Sequence, residues 1–370
     1  MSLTPTDVPT VPAPVPDRPD AGRPVAPAPR RATPAGRALT AVGAVLAALA
    51  AVQAGGQLLA QAVAQTESTT ETLAAASLVE VVTDGRVEVV ATTADDVQVE
   101  RTSRTAWQRP GATSELRDDR LVLTHTCGTT WFGTCSTATT VRLPEGTDLV
   151  VRSSDGDVSA DGALAEVTLR TASGHVTVVG ATGRVRAQSR DGDVSVARTG
   201  GSIEAVTYAG HVGVAEVAGR VTATSRDGNV QVAGAGGAVE ATTRSGHVGV
   251  AEVDGRVVAS TRDGDVRVRT AGGDTEATSR DGHVTVDGVA GNLTAQTSDG
   301  DVEVASAQGD VTATSGSGRV TVRGTGEPVA LEIWTRDGRQ TIEGATDPLA
   351  PRRVSISSRD GDVAYLGPAG

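Results

Sequence analysis

The chain has 370 residues, a formal net charge of -12 at pH 7, 2% aromatic residues and 45 glycines. A phosphate-backbone binder normally shows a basic face, so this balance argues against nucleic acid as a partner. So few large aromatic side chains argue against a thick globular core, and the absence of lysine removes Schiff-base chemistry and a lysine general base.

Residues 1–36 are rich in proline, with Pro9, Pro12, Pro14, Pro16 and Pro19 among them. This segment has little to bury and is expected to be a disordered, Pro-rich cytoplasmic tail. Arg30, Arg31 and Arg37 precede an apolar run over residues 38–60. About 20 apolar residues span a bilayer, so residues 37–65 are read as a single transmembrane helix or signal-anchor. The next basic residue after Arg37 is Arg86, which puts the N-terminus in the cytoplasm and exports everything beyond about residue 65. A cleaved leader is the alternative, with Ala62, Val63 and Ala64 as a small-residue cleavage site. Both readings place the C-terminal part outside the cytoplasm, at the cell membrane or envelope.

Residues 66–77 open polar and are expected to be a linker. Residues 78–147 form an N-terminal β part and cap. Within it, Leu78–Val82 and Arg86–Val90 alternate apolar and polar around Asp84-Gly85, which reads as two strands around a tight turn. Trp107, Cys127, Trp131, Phe132 and Cys135 are expected in the cap. Two close cysteines in an exported segment point to one disulfide, Cys127 with Cys135.

Residues 148–324 are periodic. Glycine recurs every 18 residues from Gly156 through Gly174, Gly192 and Gly210 to Gly318, and a second series with Gly183, Gly219 and Gly237 falls midway. The unit is therefore nine residues ending in glycine. Its second position is apolar (Val176, Val185, Val194, Ile203). Its fourth alternates Val and Ala (Val178, Ala187, Val196, Ala205). Alternation with period two gives one short strand per unit with one buried face. The Val/Ala alternation makes the full coil two units, so that a large layer faces a small one across a narrow core. In alternate units the sixth position is a small hydroxyl, as at Ser189, Thr207, Ser225 and Thr243. The fold class is all-β: a parallel β-helix or β-solenoid with 18-residue coils built of nine-residue half-coils. About ten coils at the ~4.8 Å strand spacing make a rod on the order of 50 Å long. An up-and-down antiparallel sheet is the alternative, but it leaves an apolar face uncovered and does not explain the 18-residue alternation. Past Gly318 the rhythm fails at Glu327-Pro328, and Trp334, Ile342, Ile356 and Tyr365 bring larger side chains. Residues 325–370 are therefore expected to be capping coils.

The segment Val141-Arg142-Leu143-Pro144-Glu145-Gly146, followed by Ser153-Ser154-Asp155-Gly156-Asp157-Val158, resembles the bacterial DUF4097 family, whose members are proposed to be adhesins. The likeness covers roughly residues 78–366: a "P-x-G" step, then recurring "S-G-D-V" corners. It implies a parallel β-helix-like fold, often tethered to the membrane, and carries over no catalytic residues. This chain departs from the pattern in having His at alternate corners and a very strict 18-residue spacing.

The first position after each corner glycine reads Asp157, His175, Asp193, His211, Asn229, His247, Asp265, His283, Asp301, Arg319. Stacked on one edge, these form a ladder that keeps like charges apart. The same row has two other readings, a pH-responsive edge and a transition-metal site. Asp191 with Asp193, Asp263 with Asp265 and Asp299 with Asp301 are oxygen clusters of the kind calcium prefers, although Asp-Gly is also a default turn dipeptide. The metal candidates are thus Asp191, Asp193, His211, His247, Asp263, Asp265 and His283, with no cofactor otherwise expected. Arg190, Arg226, Arg244, Arg262 and Arg280 share the seventh position and form a stripe, either a solvated ladder offset by Asp191, Asp227, Asp263 and Asp281 or a row able to grip an anionic polymer. No nucleophile elbow, zinc-protease helix, P-loop or Cys-His arrangement occurs, and the corners are too short for loop-built catalysis, so no enzyme is expected. The expected role is a membrane-anchored surface adhesin or envelope scaffold, binding envelope polysaccharide or another surface protein. The alternatives are an envelope sensor signalling through the N-terminal tail and a calcium- or pH-tuned assembly module.

Overall fold

A computed structural model describes residues 64–106, 110–128 and 134–368, together with Ala47. The expected tail (1–36) and nearly all of the expected span (37–65) lie outside the described residues, as do Trp107, Trp131 and Phe132. Among the described residues, no helix is long and apolar enough to cross a membrane. The chain divides into two units, Met1–Ala54 and Gly55–Gly370, and the second holds every described residue except Ala47.

The described residues of the second unit are all-β and build two long sheets, one of 16 strands and one of 15. Each coil lays one strand in each sheet, and successive coils pair in parallel with a register shift of 18 residues. In the first sheet Val176 pairs with Val194, and Val194 with Val212. In the second, Val185 pairs with Ile203, and Ile203 with Val221. This is the solenoid that the nine-residue period implies. The inward residues are Val194 and Val196 on one side and Val185 and Ala187 on the other, all buried. Valine suits such strands because its branched side chain packs on a pleated, buried surface.

Three local devices hold a coil in shape. The corner glycines stack so closely that a Cβ on Gly174 would collide with the Gly156 carbonyl. The buried hydroxyl of the next coil then caps that carbonyl. Ser189 Oγ donates to Gly174 O at 2.9 Å, Thr207 to Gly192 O at 2.8 Å and Thr243 to Gly228 O at 2.8 Å. On the first sheet, one residue per coil takes a left-handed conformation: Arg198, Glu216, Glu252 and Thr270, with φ between 52° and 56°. Simple alternation would point these side chains inward. The left-handed turn throws them out and returns the next residue, such as Thr199 or Val217, to the core.

Several expectations are corrected. Asp84-Gly85 does not close a hairpin. Leu78–Thr83 lies in the second sheet and Arg86–Thr92 in the first, so the pair is a solenoid corner and residues 78–92 are the first coil. The chain then leaves for an excursion of partly antiparallel strands before the coil at Asp148–Asp155 stacks directly on the first. The polar segment read as a linker (66–77) holds a strand, Gln65–Ala74, paired antiparallel with Asp96–Ala106. Its threonines favour that extended conformation without needing a buried face. At the other end, stacking order departs from chain order. Ala330–Thr335 and Gln340–Ile342 form the outermost coil, and the later strands Arg353–Ser358 and Val363–Leu366 insert between it and the regular coils. Tyr365 fills the inserted coil's core, and Gly324 and Gly344 leave room for its ring.

Candidate functional site: one corner with two rows of side chains

The turn from the second sheet to the first recurs in every coil, so each residue in it is repeated along one edge. Two rows flank the glycine stack. The row after the glycines is a hydrogen-bonded ladder. His175 N–H donates to Asp157 Oδ1 at 3.0 Å, and Asp193 N–H to His175 Nδ1 at 3.1 Å. His211 N–H then donates to Asp193 Oδ1 at 2.7 Å, Asn229 N–H to His211 Nδ1 at 3.0 Å and His247 N–H to Asn229 Oδ1 at 2.9 Å. Asp265 N–H donates to His247 Nδ1 at 3.0 Å, His283 N–H to Asp265 Oδ1 at 2.9 Å and Asp301 N–H to His283 Nδ1 at 3.0 Å. Each side chain thus receives the N–H of the next coil. In each histidine rung Nδ1 is the acceptor, the part that Oδ1 plays in the Asp and Asn rungs. The His175 N–H also holds the Asp157 carboxyl below its usual range, with the Arg86 charge adding to the effect against some desolvation.

This ladder bears on the metal candidates. His211, His247, His283, Asp193 and Asp265 each give their inner acceptor atom to a backbone N–H. Asp191 and Asp263 lie on the other side of the glycine stack, where their backbones bridge neighbouring coils. Among the described residues, no three His, Cys, Asp or Glu side chains come together to hold a metal ion.

The second row is the arginine stripe. Arg190, Arg226, Arg244, Arg262 and Arg280 are all exposed. Arg226 Nε lies 3.9 Å from Asp227 Oδ2, and among the described residues no ion pair or hydrogen bond engages the other four guanidiniums. The row runs further than these five positions. Tyr208, 56% exposed, stands in it between Arg190 and Arg226. Beyond Arg280 it runs through Ser298 and Gly316 to Arg359 and then Arg336, with Trp334 beside the last, 53% exposed. A signal for the last two was present in the sequence, since Gly338 and Gly361 are corner glycines with arginine two places before each. Their adjacency was not legible, because the stacking order inverts there.

Cys127 and Cys135 are joined in a disulfide, with Cα atoms 5.9 Å apart. The Cys127 N–H donates to Asp84 Oδ2 at 2.8 Å, which ties the bridged loop to the first corner. His125 is buried beside it, with Nδ1 2.9 Å from Thr139 Oγ1.

A family model described as Toastrack DUF4097 matches residues 75–270 and 255–365. Two solved structures are similar in part. A proposed cell adhesion protein from Clostridium sporogenes is 9% identical, with 82% of this chain and 100% of that one covered and a TM-score of 0.18. A proposed adhesin from Bacteroides fragilis is 11% identical, with 82% and 97% covered and a TM-score of 0.26. TM-scores this low support no inference about this chain. No curated protein matches it. The family matches overlap and run from the first coil to the last inserted strand, through both rows of the repeated corner, and on that extent the chain belongs to the Toastrack DUF4097 family.

Proposed function

We propose that the protein is a membrane-anchored, extracytoplasmic binding or scaffold module of a bacterial envelope, an adhesin in the broad sense, and that it holds an anionic envelope polymer along its arginine edge. The observation that carries this reading is the row of exposed arginines, four of five without a protein partner among the described residues, in a chain whose net charge is -12. Four of these five guanidiniums are left without an ion pair, and guanidinium is the side chain best shaped for carboxylate and phosphate oxygens. The stack places Arg226, Arg244, Arg262 and Arg280 on successive coils, which suits a repeating ligand. The apolar run over residues 38–60, the arginines before it and the Cys127–Cys135 bridge support export and anchoring. Short uniform corners support binding over catalysis.

The test uses the full chain in detergent micelles with polygalacturonate as the probe and neutral dextran as its control. Polygalacturonate should bind with strong salt dependence, and dextran should not. Changing Arg190, Arg226, Arg244, Arg262 and Arg280 together to Gln should weaken binding by about tenfold or more. Equal binding of both polymers, or no effect of the five substitutions, would sink the reading.

A further inference from the structure

We infer that the cleft between Trp334, Arg336 and Arg359 is a distinct binding site for a single acidic sugar residue, a pyranose bearing a carboxylate. The inference rests on the reading of this edge as a polymer-binding surface and names a subsite in it that the sequence did not disclose.

The cleft arises where the arginine row is interrupted. After the consecutive Arg226, Arg244, Arg262 and Arg280, the next two coils carry Ser298 and Gly316 in that place, so two guanidinium side chains are missing before the row resumes at Arg359. Gly316 cannot carry a side chain, because a Cβ there would collide with the Ser298 carbonyl. The gap opens into a cleft of about 610 Å³ lined by Thr314, Ser357, Trp334, Arg336, Arg359 and Asp299. That volume falls in the range of small-molecule sites.

The walls bring together chemistry that elsewhere on the edge is spread over separate coils. Trp334 ends an outward-facing row that reads Thr242, Ser260, Thr278, Gln296, Thr314, Ser357 along the second sheet. A half-exposed indole at the end of a polar row has no role in the core and presents a flat apolar face to the cleft. That face suits the C–H face of a sugar ring. Arg336 and Arg359 sit on adjacent coils, and neither guanidinium has an ion-pair or hydrogen-bond partner among the described residues. Two free guanidiniums side by side fit one carboxylate. Thr314 Oγ1 and Ser357 Oγ, 3.1 Å apart, and the Asp299 carboxylate supply donors and acceptors for ring hydroxyls. A neutral sugar would leave both arginines unmatched, and a simple anion would leave the indole bare.

The test is calorimetric titration of the full chain in micelles with trigalacturonate, a probe short enough to occupy the cleft without spanning the stripe. The expected result is binding that falls about tenfold or more in Trp334→Ala and in the Arg336→Gln, Arg359→Gln pair, and that persists in the five-arginine stripe variant. Maltotriose should bind at least about tenfold more weakly than trigalacturonate. Trp334→Phe should retain part of the affinity, and melting curves should match across variants because all three side chains are exposed. No trigalacturonate binding while polygalacturonate still binds would overturn the cleft and spare the stripe. Loss of trigalacturonate binding only in the stripe variant would overturn it too, as would equal binding of maltotriose or equal competition by a single-stranded oligonucleotide. Retained trigalacturonate binding with no polymer effect of the stripe would uphold the cleft and remove the wider reading.

Discussion

Asp193 lies one coil beyond His175, and its backbone N–H donates to the His175 Nδ1 at 3.1 Å. The same relation recurs from His247 to Asp265 and from His283 to Asp301, each at 3.0 Å. These histidines therefore act as corner caps, with the same task that Asp157 and Asn229 perform through Oδ1. What the ladder needs is an acceptor at each rung. His247→Asn should change stability by no more than about 0.5 kcal/mol, whereas His247→Leu should cost about 1 kcal/mol, the net worth of one hydrogen bond. Chemical denaturation of the two variants checks this, and equal costs would show that the cap is immaterial.

The buried hydroxyl row makes a sharper demand. Thr243 is buried and donates to Gly228 O at 2.8 Å. Thr243→Val keeps the shape and removes the donor, so it should cost about 1–3 kcal/mol. Thr243→Ser restores the side chain found at Ser189 and Ser225 and should stay close to the parent. A valine variant as stable as the parent would mean that the corner carbonyl needs no partner.

Not every glycine is needed. Gly174 has φ +143° and stacks against the Gly156 carbonyl, so Gly174→Ala should destabilise by several kcal/mol, about 2–4 by analogy with strained and overpacked sites. Gly249 lies mid-strand, where a Cβ would meet only the Gln231 side chain at 3.9 Å, so Gly249→Ala should be neutral or stabilise by about 0.5–1 kcal/mol. Thermal melts of the two alanine variants should move in opposite directions or differ widely, and similar melts would contradict the account of the corner.

Burial pushes His125 below the usual histidine range, and the nearby Arg101 cation adds to this against the opposing pull of Asp84. A depressed histidine binds fewer protons folded than unfolded. Its contribution is fully present above the unfolded value, about 6.5, and is lost as pH falls below it. The melting temperature should therefore fall as pH drops below about 6.5, and His125→Asn should flatten part of that slope. The Glu71 carboxyl is held low by its Arg101 and Ser114 hydrogen bonds, so its contribution is lost only further down, below its ordinary value of 4.5. An unchanged slope in the Asn variant would remove His125 from the acid response.

The regular coils were legible because the period, the Val/Ala alternation and the corner glycines all state one geometry, and Val194 and Ala187 sit where that geometry puts them. Asp84-Gly85 was misread because a solenoid corner and a hairpin turn use the same dipeptide; only the partner strands distinguish them. Gln65–Ala74 was missed because a threonine-rich strand added at an edge has no apolar face to betray it. The arginine stripe could be found by counting from glycine. The cleft at Trp334 could not, because it depends on Arg359 stacking next to Arg336 in an order the chain does not follow.

Eighteen residues, and not nine, are the exchangeable unit of this molecule. Deleting residues 230–247 removes one full coil and joins Asn229 to Val248 in register, with every ladder intact. Deleting residues 230–238 removes half a coil and sets the Val/Ala layer, the hydroxyls and the left-handed residues of all later coils on the wrong sheet. Thermal unfolding followed by circular dichroism compares the two. The 18-residue deletion should give a cooperative transition near the parent's, and the nine-residue deletion a much lower or broadened one. Equal tolerance of both deletions, or collapse of the 18-residue one, would contradict it.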